Sequence, residues 1–282
     1  MLSGTQIIPI RKLQENQQVV VEDLVCIEEP LEINLISGKG AARRRHNLAV
    51  TMRTPGQDEY LATGFLFTEG IIDRMEEIIE LEAIKDRRQA QKTLSNTIEI
   101  QLHPDKDVDH ERLSRHFYTS SSCGVCGKGS IELVQQHISY LLPAQQPKID
   151  CKVLSELPAL LRKDQALFGA TGGIHAAALF DPTGQLLDVQ EDVGRHNAMD
   201  KLIGKALTLQ QIPLQQHMVL VSGRTSFEIV QKCLMAGVAV LASVGAPSSL
   251  AVELADAHGM TLIGFLKEKA CNIYCGAERI TS

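Results

Sequence analysis

The chain has 282 residues, of which 44% are hydrophobic and 22% charged, and a formal net charge of −6 at pH 7. At about 100–200 residues per domain, that length fits one large domain or two ordinary ones, with core enough that neither disulfides nor zinc are needed merely to fold. The acidic balance argues against a nucleic-acid partner, which requires a basic face. Any anionic ligand must be held by local positive groups and backbone N–H.

Residues 1–18 are polar and glutamine-rich and are expected to fray at first. No basic segment followed by an apolar run is seen there, and no apolar stretch reaches the roughly 20 residues that span a bilayer. A cytoplasmic protein without membrane association is therefore expected. Period-two patterning predicts strands at 19–22, 31–35 and 47–52. The basic run Arg43-Arg44-Arg45 lies between two of them and reads as a solvated turn. Residues 60–81 read as helical, with Leu61, Phe65, Leu66 and Ile72 on one stripe; Gly64 and Gly70 make two short helices as reasonable as one. A strand is expected at 95–102 and a charged helix at 103–116.

The second half alternates strand and helix patterns. Strands are predicted at 174–180 and 185–191, joined by the turn Asp181-Pro182-Thr183-Gly184. A helix at 197–207 follows, then strand 218–222, helix 227–236, strand 238–244, helix 250–258 and strand 261–265. That order indicates βαβ units and a largely parallel sheet. The expected organisation is a smaller α+β domain over 1–117, a mobile cysteine loop over 118–130, and an α/β domain over 131–282.

Seven cysteines are present, an odd number, and free thiols are expected. Cys123 and Cys126 stand in Ser122-Cys123-Gly124-Val125-Cys126-Gly127-Lys128. Glycine and serine leave this backbone exposed and mobile. A following helix N-terminus and Lys128 both favour thiolate over thiol. Four readings remain open on these residues alone. They are a persulfide sulfur carrier, a dithiol redox site, half of a zinc site completed by Cys271 and Cys275, and two thiols without a role.

The layout from residue 174 onward follows that of nucleoside deaminases, which hold zinc through H-x-E and P-C-x-x-C at two helix starts. Here those places read Arg195-His196-Asn197-Ala198 and Ser222-Gly223-Arg224-Thr225-Ser226, so a deaminase-like sheet without the deaminase zinc is expected. The two helix starts, and a third at Ser248-Ser249, could hold anions through free N–H groups with Arg195, His196 and Arg224. The plainer reading makes Asp192, Thr225 and Ser248 ordinary N-caps and the arginines surface ion pairs. His175 lies on an apolar strand and reads as a core histidine.

Several motifs in one order resemble the FdhD family of sulfur carriers required for formate dehydrogenase activity. They are Glu28-Glu29-Pro30-Leu31-Glu32-Ile33, Thr63-Gly64-Phe65-Leu66-Phe67-Thr68-Glu69-Gly70, the cysteine loop, and Thr171-Gly172-Gly173-Ile174-His175. Glu191-Asp192-Val193-Gly194-Arg195-His196-Asn197-Ala198, Ser222-Gly223-Arg224 and Glu278-Arg279-Ile280 complete the set. The resemblance implies an α/β fold with a cytidine-deaminase-like three-layer domain and a smaller α+β N-terminal domain, assembled as a homodimer. It implies a sulfurtransferase that takes sulfur from a cysteine desulfurase and passes it to Mo-bis(molybdopterin guanine dinucleotide), the cofactor of the formate dehydrogenase catalytic subunit. Cys123 would carry the persulfide and Cys126 would assist. Phe265, Leu266, Lys267, Glu268, Lys269 and Ala270 would bind the cofactor. Lys267 stands where the family commonly has arginine, which keeps the charge but loses the bidentate fork. Cys271 stands where a bulky apolar residue is common. The alternative is a cofactor chaperone that moves no sulfur.

Overall fold

A computed structural model describes residues 2–84, 95–108 and 138–282. Contrary to the expected fraying, the chain opens on a hairpin of β1 (Thr5–Gln14) and β2 (Gln17–Cys26). Its turn, Glu15-Asn16, holds both residues at positive φ, the mirror-image turn whose twist matches paired strands. The hairpin is anchored at its base, where Ile27 N–H donates to the Gly4 carbonyl and the Cys26 thiol lies 2.9 Å from the Thr171 hydroxyl.

A four-stranded sheet follows in the order β4-β3-β6-β5, built from β3 (Glu29–Ser37), β4 (Arg44–Arg53), β5 (Ile78–Ala83) and β6 (Thr97–Leu102). Leu31, Ile33 and Leu35 alternate inward on β3 as period two requires. The basic run is only partly a solvated turn: Arg43 donates to the Gly38 and Leu102 carbonyls, and Arg45 pairs with Glu99 at 2.9 Å.

The helix expected over 60–81 ends early. Helix α1 (Asp58–Thr68) stops before Gly70, whose φ of 69° is left-handed. A single 3-10 turn at Met75–Glu77 then leads into β5, so the second half of that span is strand. Residues 103–108 form turns, not the expected helix, and 109–116 lie outside the described residues.

The larger sheet has six strands in the order β13-β12-β11-β10-β8-β9. These are β8 (His175–Phe180), β9 (Leu186–Asp192), β10 (Met218–Val221), β11 (Val240–Ser243), β12 (Thr261–Lys267) and β13 (Ala270–Cys275). Strands β10, β11 and β12 run parallel; β8, β9 and β13 are antiparallel to their neighbours. Strand β13 has no counterpart in the sequence prediction. A two-stranded pair, β7 (Ile149–Asp150) with β14 (Ile280–Thr281), closes the set.

Both faces of the large sheet are covered. Helix α2 (Cys151–Asp164) lays Leu154, Leu157 and Leu161 on one face, in a cluster with Ala176, Ala178, Phe180, Ile263 and Leu266. A short helix, α3 (Ala166–Thr171), follows it. Helices α4 (Arg195–Thr208), α5 (Phe227–Met235) and α6 (Ser249–Ala257) cover the other face. There Ala177, Leu179, Val219 and Leu241 share one continuous core with Leu31, Ile33, Leu61 and Leu66, so the small sheet and α1 pack onto the same helical layer.

Candidate functional site

The carboxyl ends of parallel strands are where α/β sheets place ligands, because the following helices begin there. At this edge three loops interlock. Gly245 N–H donates to the Gly223 carbonyl at 3.1 Å, Thr225 N–H to the Ala246 carbonyl at 3.1 Å, and Ser248 N–H to the Thr225 carbonyl at 3.0 Å. Phe265 N–H closes on the Gly245 carbonyl at 3.0 Å. The approach demands small residues. A Cβ on Gly245 would stand 2.9 Å from the Gly223 oxygen and 3.0 Å from Arg224 Cα.

His175 opens β8 at the same edge, since Ala177 pairs with Val221 at the end of β10. It is half-buried and faces Gly223, where an added Cβ would meet its ring at 3.2 Å. Burial pushes its pKa down, and the nearby Arg195 and His196 push it further. Asp192 pushes the other way, and the core reading of His175 gives way to a half-buried rim position.

His196, in the first turn of α4, is engaged across to α5. Its Nε2 lies 2.9 Å from Glu228 Oε2 and 3.2 Å from Ser226 Oγ. That hydrogen bond holds the Glu228 carboxyl below its ordinary range. Glu228 was not legible as a partner, because 32 residues separate it from His196 and no local pattern links them. Arg224 is exposed, two residues before Ser226 in the chain.

The expected N-caps fall differently. Ser248 does cap α6, accepting from Ala251 N–H at 3.3 Å. Thr225 is not a cap: α5 is preceded by Ser226, whose side chain makes no capping bond. Asp192 is not one either. Wholly buried, it accepts Gly194 N–H at 2.9 Å, Thr54 N–H at 3.2 Å and the Asn197 amide at 3.0 Å, and pairs with Lys201 Nζ at 2.7 Å. Asn197 also donates to the Met52 carbonyl, and Lys201 to the Thr54 carbonyl. Residues 191–201 thus fasten the end of β4 to the start of α4 and fix where Arg195 and His196 stand. Glu191 joins them by accepting the Leu167 and Phe168 N–H groups of α3, each at 2.9 Å.

The 265–270 stretch is not the end of the sheet but the crest of the β12–β13 hairpin. Phe265 has a φ of 52° and is 42% exposed. Leu266 is 2% exposed and belongs to the α2-face cluster, so it serves the core and does not face outward with its neighbours. Lys267, Glu268, Lys269 and Ala270 are exposed, with Lys267 paired to Ala270 across the turn. The turn thus presents two lysines with a glutamate between them to solvent.

Cys123 and Cys126 lie outside the described residues. Cys271 and Cys275 do not converge: Cys271 packs on the α2 face, while Cys275 packs on the opposite core and donates to the Met260 carbonyl. That separation removes the shared zinc site proposed for them. Arg279 is structural. Fully buried, it donates to the Gln146 and Gly259 carbonyls, both at 2.8 Å, and to that of Pro143. Among the described residues no helix is long and apolar enough to cross a membrane.

Comparison with known proteins gives three kinds of match. The model of the FdhD/NarQ family matches residues 26–281. A sulfur carrier protein FdhD of Mycolicibacterium paratuberculosis is 46% identical over 277 residues, covering 96% of this chain and 97% of that protein. Proteins of the same name from Streptomyces coelicolor and Sulfolobus acidocaldarius are 44% and 37% identical, covering 92% and 97% of this chain and 89% and 97% of their own. The crystal structure of a formate dehydrogenase accessory protein from Desulfotalea psychrophila superposes with a TM-score of 0.71 at 23% identity, covering 98% of this chain and 99% of that one.

Proposed function

The chain belongs to the FdhD/NarQ family, and from that premise we propose that it is a sulfur carrier serving formate dehydrogenase. The observation that carries this reading is identity of 37–46% to proteins named as sulfur carriers, over nearly the whole length of each. The sequence supplies the chemistry such a carrier needs: two cysteines, Cys123 and Cys126, in a glycine-rich loop with Lys128 beside them.

In the proposed reaction the Cys123 thiolate attacks the outer sulfur of a cysteine desulfurase persulfide. The S–S bond of the donor breaks, its cysteine leaves as thiolate, and Cys123 holds the transferred sulfur. Cys126 assists its release. The acceptor is Mo-bis(molybdopterin guanine dinucleotide), as substrate. Its nucleotide end rests along the carboxyl edge of a cytidine-deaminase-like sheet, near Phe265, the turn lysines Lys267 and Lys269, and Arg224. The carrier works in the cytoplasm as a homodimer, ahead of cofactor insertion into the dehydrogenase catalytic subunit.

The deciding experiment is intact-mass analysis after incubation with an active cysteine desulfurase and cysteine. Wild type should gain about 32 Da per sulfur, reversed by reductant, and Cys123→Ala should gain none. Wild type without an adduct would favour a cofactor chaperone that moves no sulfur. The ligand placement has its own test. Lys267→Glu with Lys269→Glu, both on an exposed turn, should leave thermal stability unchanged and weaken GDP binding about tenfold or more, or about 1.4 kcal/mol. Unchanged GDP affinity would rule out the turn as the nucleotide site.

A further inference from the structure

Helices α4 and α5 meet along a seam with two polar rungs, one helical turn apart. His196 and Asp200 stand four residues apart on α4 and share a face; Glu228 and Lys232 do the same on α5. In the inner rung Lys232 Nζ lies 2.8 Å from Asp200 Oδ1 and donates to the Thr68 hydroxyl of α1 at 2.8 Å, with the two charged side chains 7% and 4% exposed. In the outer rung His196 Nε2 lies 2.9 Å from Glu228 Oε2, and those side chains are 32% and 33% exposed. The buried rung already ties the helices together and to α1. A second pair, open to water, adds little to stability.

The outer rung lies instead at the carboxyl edge of the sheet, in the first turns of both helices. A carboxylate only accepts, so Nε2 carries the proton of the bond to Glu228, and the ring is held in one orientation. Nδ1 has no partner among the described residues, and in the imidazolium form its N–H is a second donor. Two more polar groups beside this rung lack partners among the described residues. Thr225 is 1% exposed and its hydroxyl makes no hydrogen bond, and Arg195 Nε is buried and unpaired. Such buried orphans are rare in native folds and mark places where a water, an ion or a ligand completes the bonding. After burial, Arg195 and then His196 push the pKa of His175 down, so positive groups of α4 gather beside the start of β8.

We propose that Glu228 is a positioning residue for nucleotide binding, holding the His196 ring so that Nδ1–H meets a phosphate oxygen beside Arg195. The proposal rests on the reading of this edge as the nucleotide site. Glu228 itself touches no ligand. A lone carboxylate at an anion site would repel the phosphates, whereas one spent on an imidazolium does not. The bond to His196 keeps the Glu228 carboxyl ionised, as this role requires. The seam thus divides its work. The inner rung fastens the helices, and the outer rung, free of that duty, sets the direction of one donor.

The test is calorimetric titration of GDP into the full-length protein, with chemical denaturation of each variant. His196→Ala and Glu228→Ala should each weaken GDP binding about tenfold, the scale of one hydrogen bond to a charged group. The double variant should bind no more weakly than either single one, because Glu228 acts only through His196. Glu228→Gln, whose amide oxygen accepts the same Nε2–H, should recover most of the affinity lost in Glu228→Ala. Denaturation midpoints of these variants should stay close to that of wild type. Additive losses, wild-type affinity in His196→Ala, or midpoints that fall in step with affinity would overturn the proposal. If wild type binds no GDP, the nucleotide reading fails and this one with it. If Lys267→Glu with Lys269→Glu weakens binding and Glu228→Ala does not, the positioning role alone falls.

Discussion

Gly204→Val is expected to abolish stable folding, at a cost above about 4 kcal/mol, the range reached only when a packed contact is forced apart. Helices α1 and α4 cross with their backbones nearly touching. A Cβ on Gly204 would stand 1.9 Å from the Tyr60 carbonyl oxygen, and one on Gly64 would stand 1.9 Å from that of Asp200. The obstacles are backbone atoms on both sides, so no side chain can rotate to make room. The helices would have to separate. That would open the core shared by Leu61, Leu66, Met199 and Leu202, and lengthen the bonds beside the crossing in which Lys232 meets Asp200 at 2.8 Å and Thr68 at 2.8 Å. Gly204→Ala should already lower the denaturation midpoint. Gly169→Ala is the control: an added Cβ there meets nothing within 4 Å, and alanine favours α3 by up to about 1 kcal/mol. An unchanged midpoint for Gly204→Val in chemical denaturation would refute the crossing geometry.

The part of the fold that could be read from the sequence is the part with strong local periodicity. Strands β8 to β12 and helices α4 to α6 emerge from alternating apolar runs punctuated by turns such as Asp181 to Gly184, where the Asp181 carboxylate accepts Thr183 N–H and Gln185 N–H, both at 2.9 Å. Elements whose apolar content is low or unevenly spaced were not legible. The strand expected at 19–22 lies within β2, but β1 was missed: its segment is polar and exposes Leu13, so it mimics a frayed tail. Strand β5 follows a 3-10 turn after α1, and its apolar residues read as more helix, whether as one helix or two. Strand β13 shows little alternation, since Asn272, Ile273 and Tyr274 all face outward to some degree around a bulge.

The candidate site divides along the same line. That Arg195, His196 and Arg224 share the sheet's carboxyl edge follows from strand order, which the sequence implies. What holds them there is long-range and carries no local signal. Asp192, Asn197 and Lys201 read locally as the ordinary opening of a helix, yet their partners Met52 and Thr54 lie about 140 residues earlier. The His196–Glu228 pair joins two helices in the same way.

Asp192→Ala should therefore be severe at a position that touches no proposed ligand. Asp192 is 0% exposed and Lys201 2%, and the pair lies between β4 and α4. Removing the carboxylate strands a buried ammonium and leaves Gly194 N–H, Thr54 N–H and the Asn197 amide short of an acceptor. Breaking such a pair from one side costs about 3–5 kcal/mol, because the charge left behind has lost its compensation. Asp192→Leu combined with Lys201→Met removes both charges, and the double variant should be more stable than the sum of its single losses predicts, with a coupling of about 1–3 kcal/mol. Urea denaturation of the four proteins gives that coupling directly. Additive losses would mean that the pair is not a closed unit. A milder variant at the same position bears on function, since α4 begins directly after Gly194, whose N–H Asp192 holds. A loosened start would let Arg195 and His196 drift from the sheet edge, and GDP affinity should fall in Asp192→Asn even where the protein remains folded.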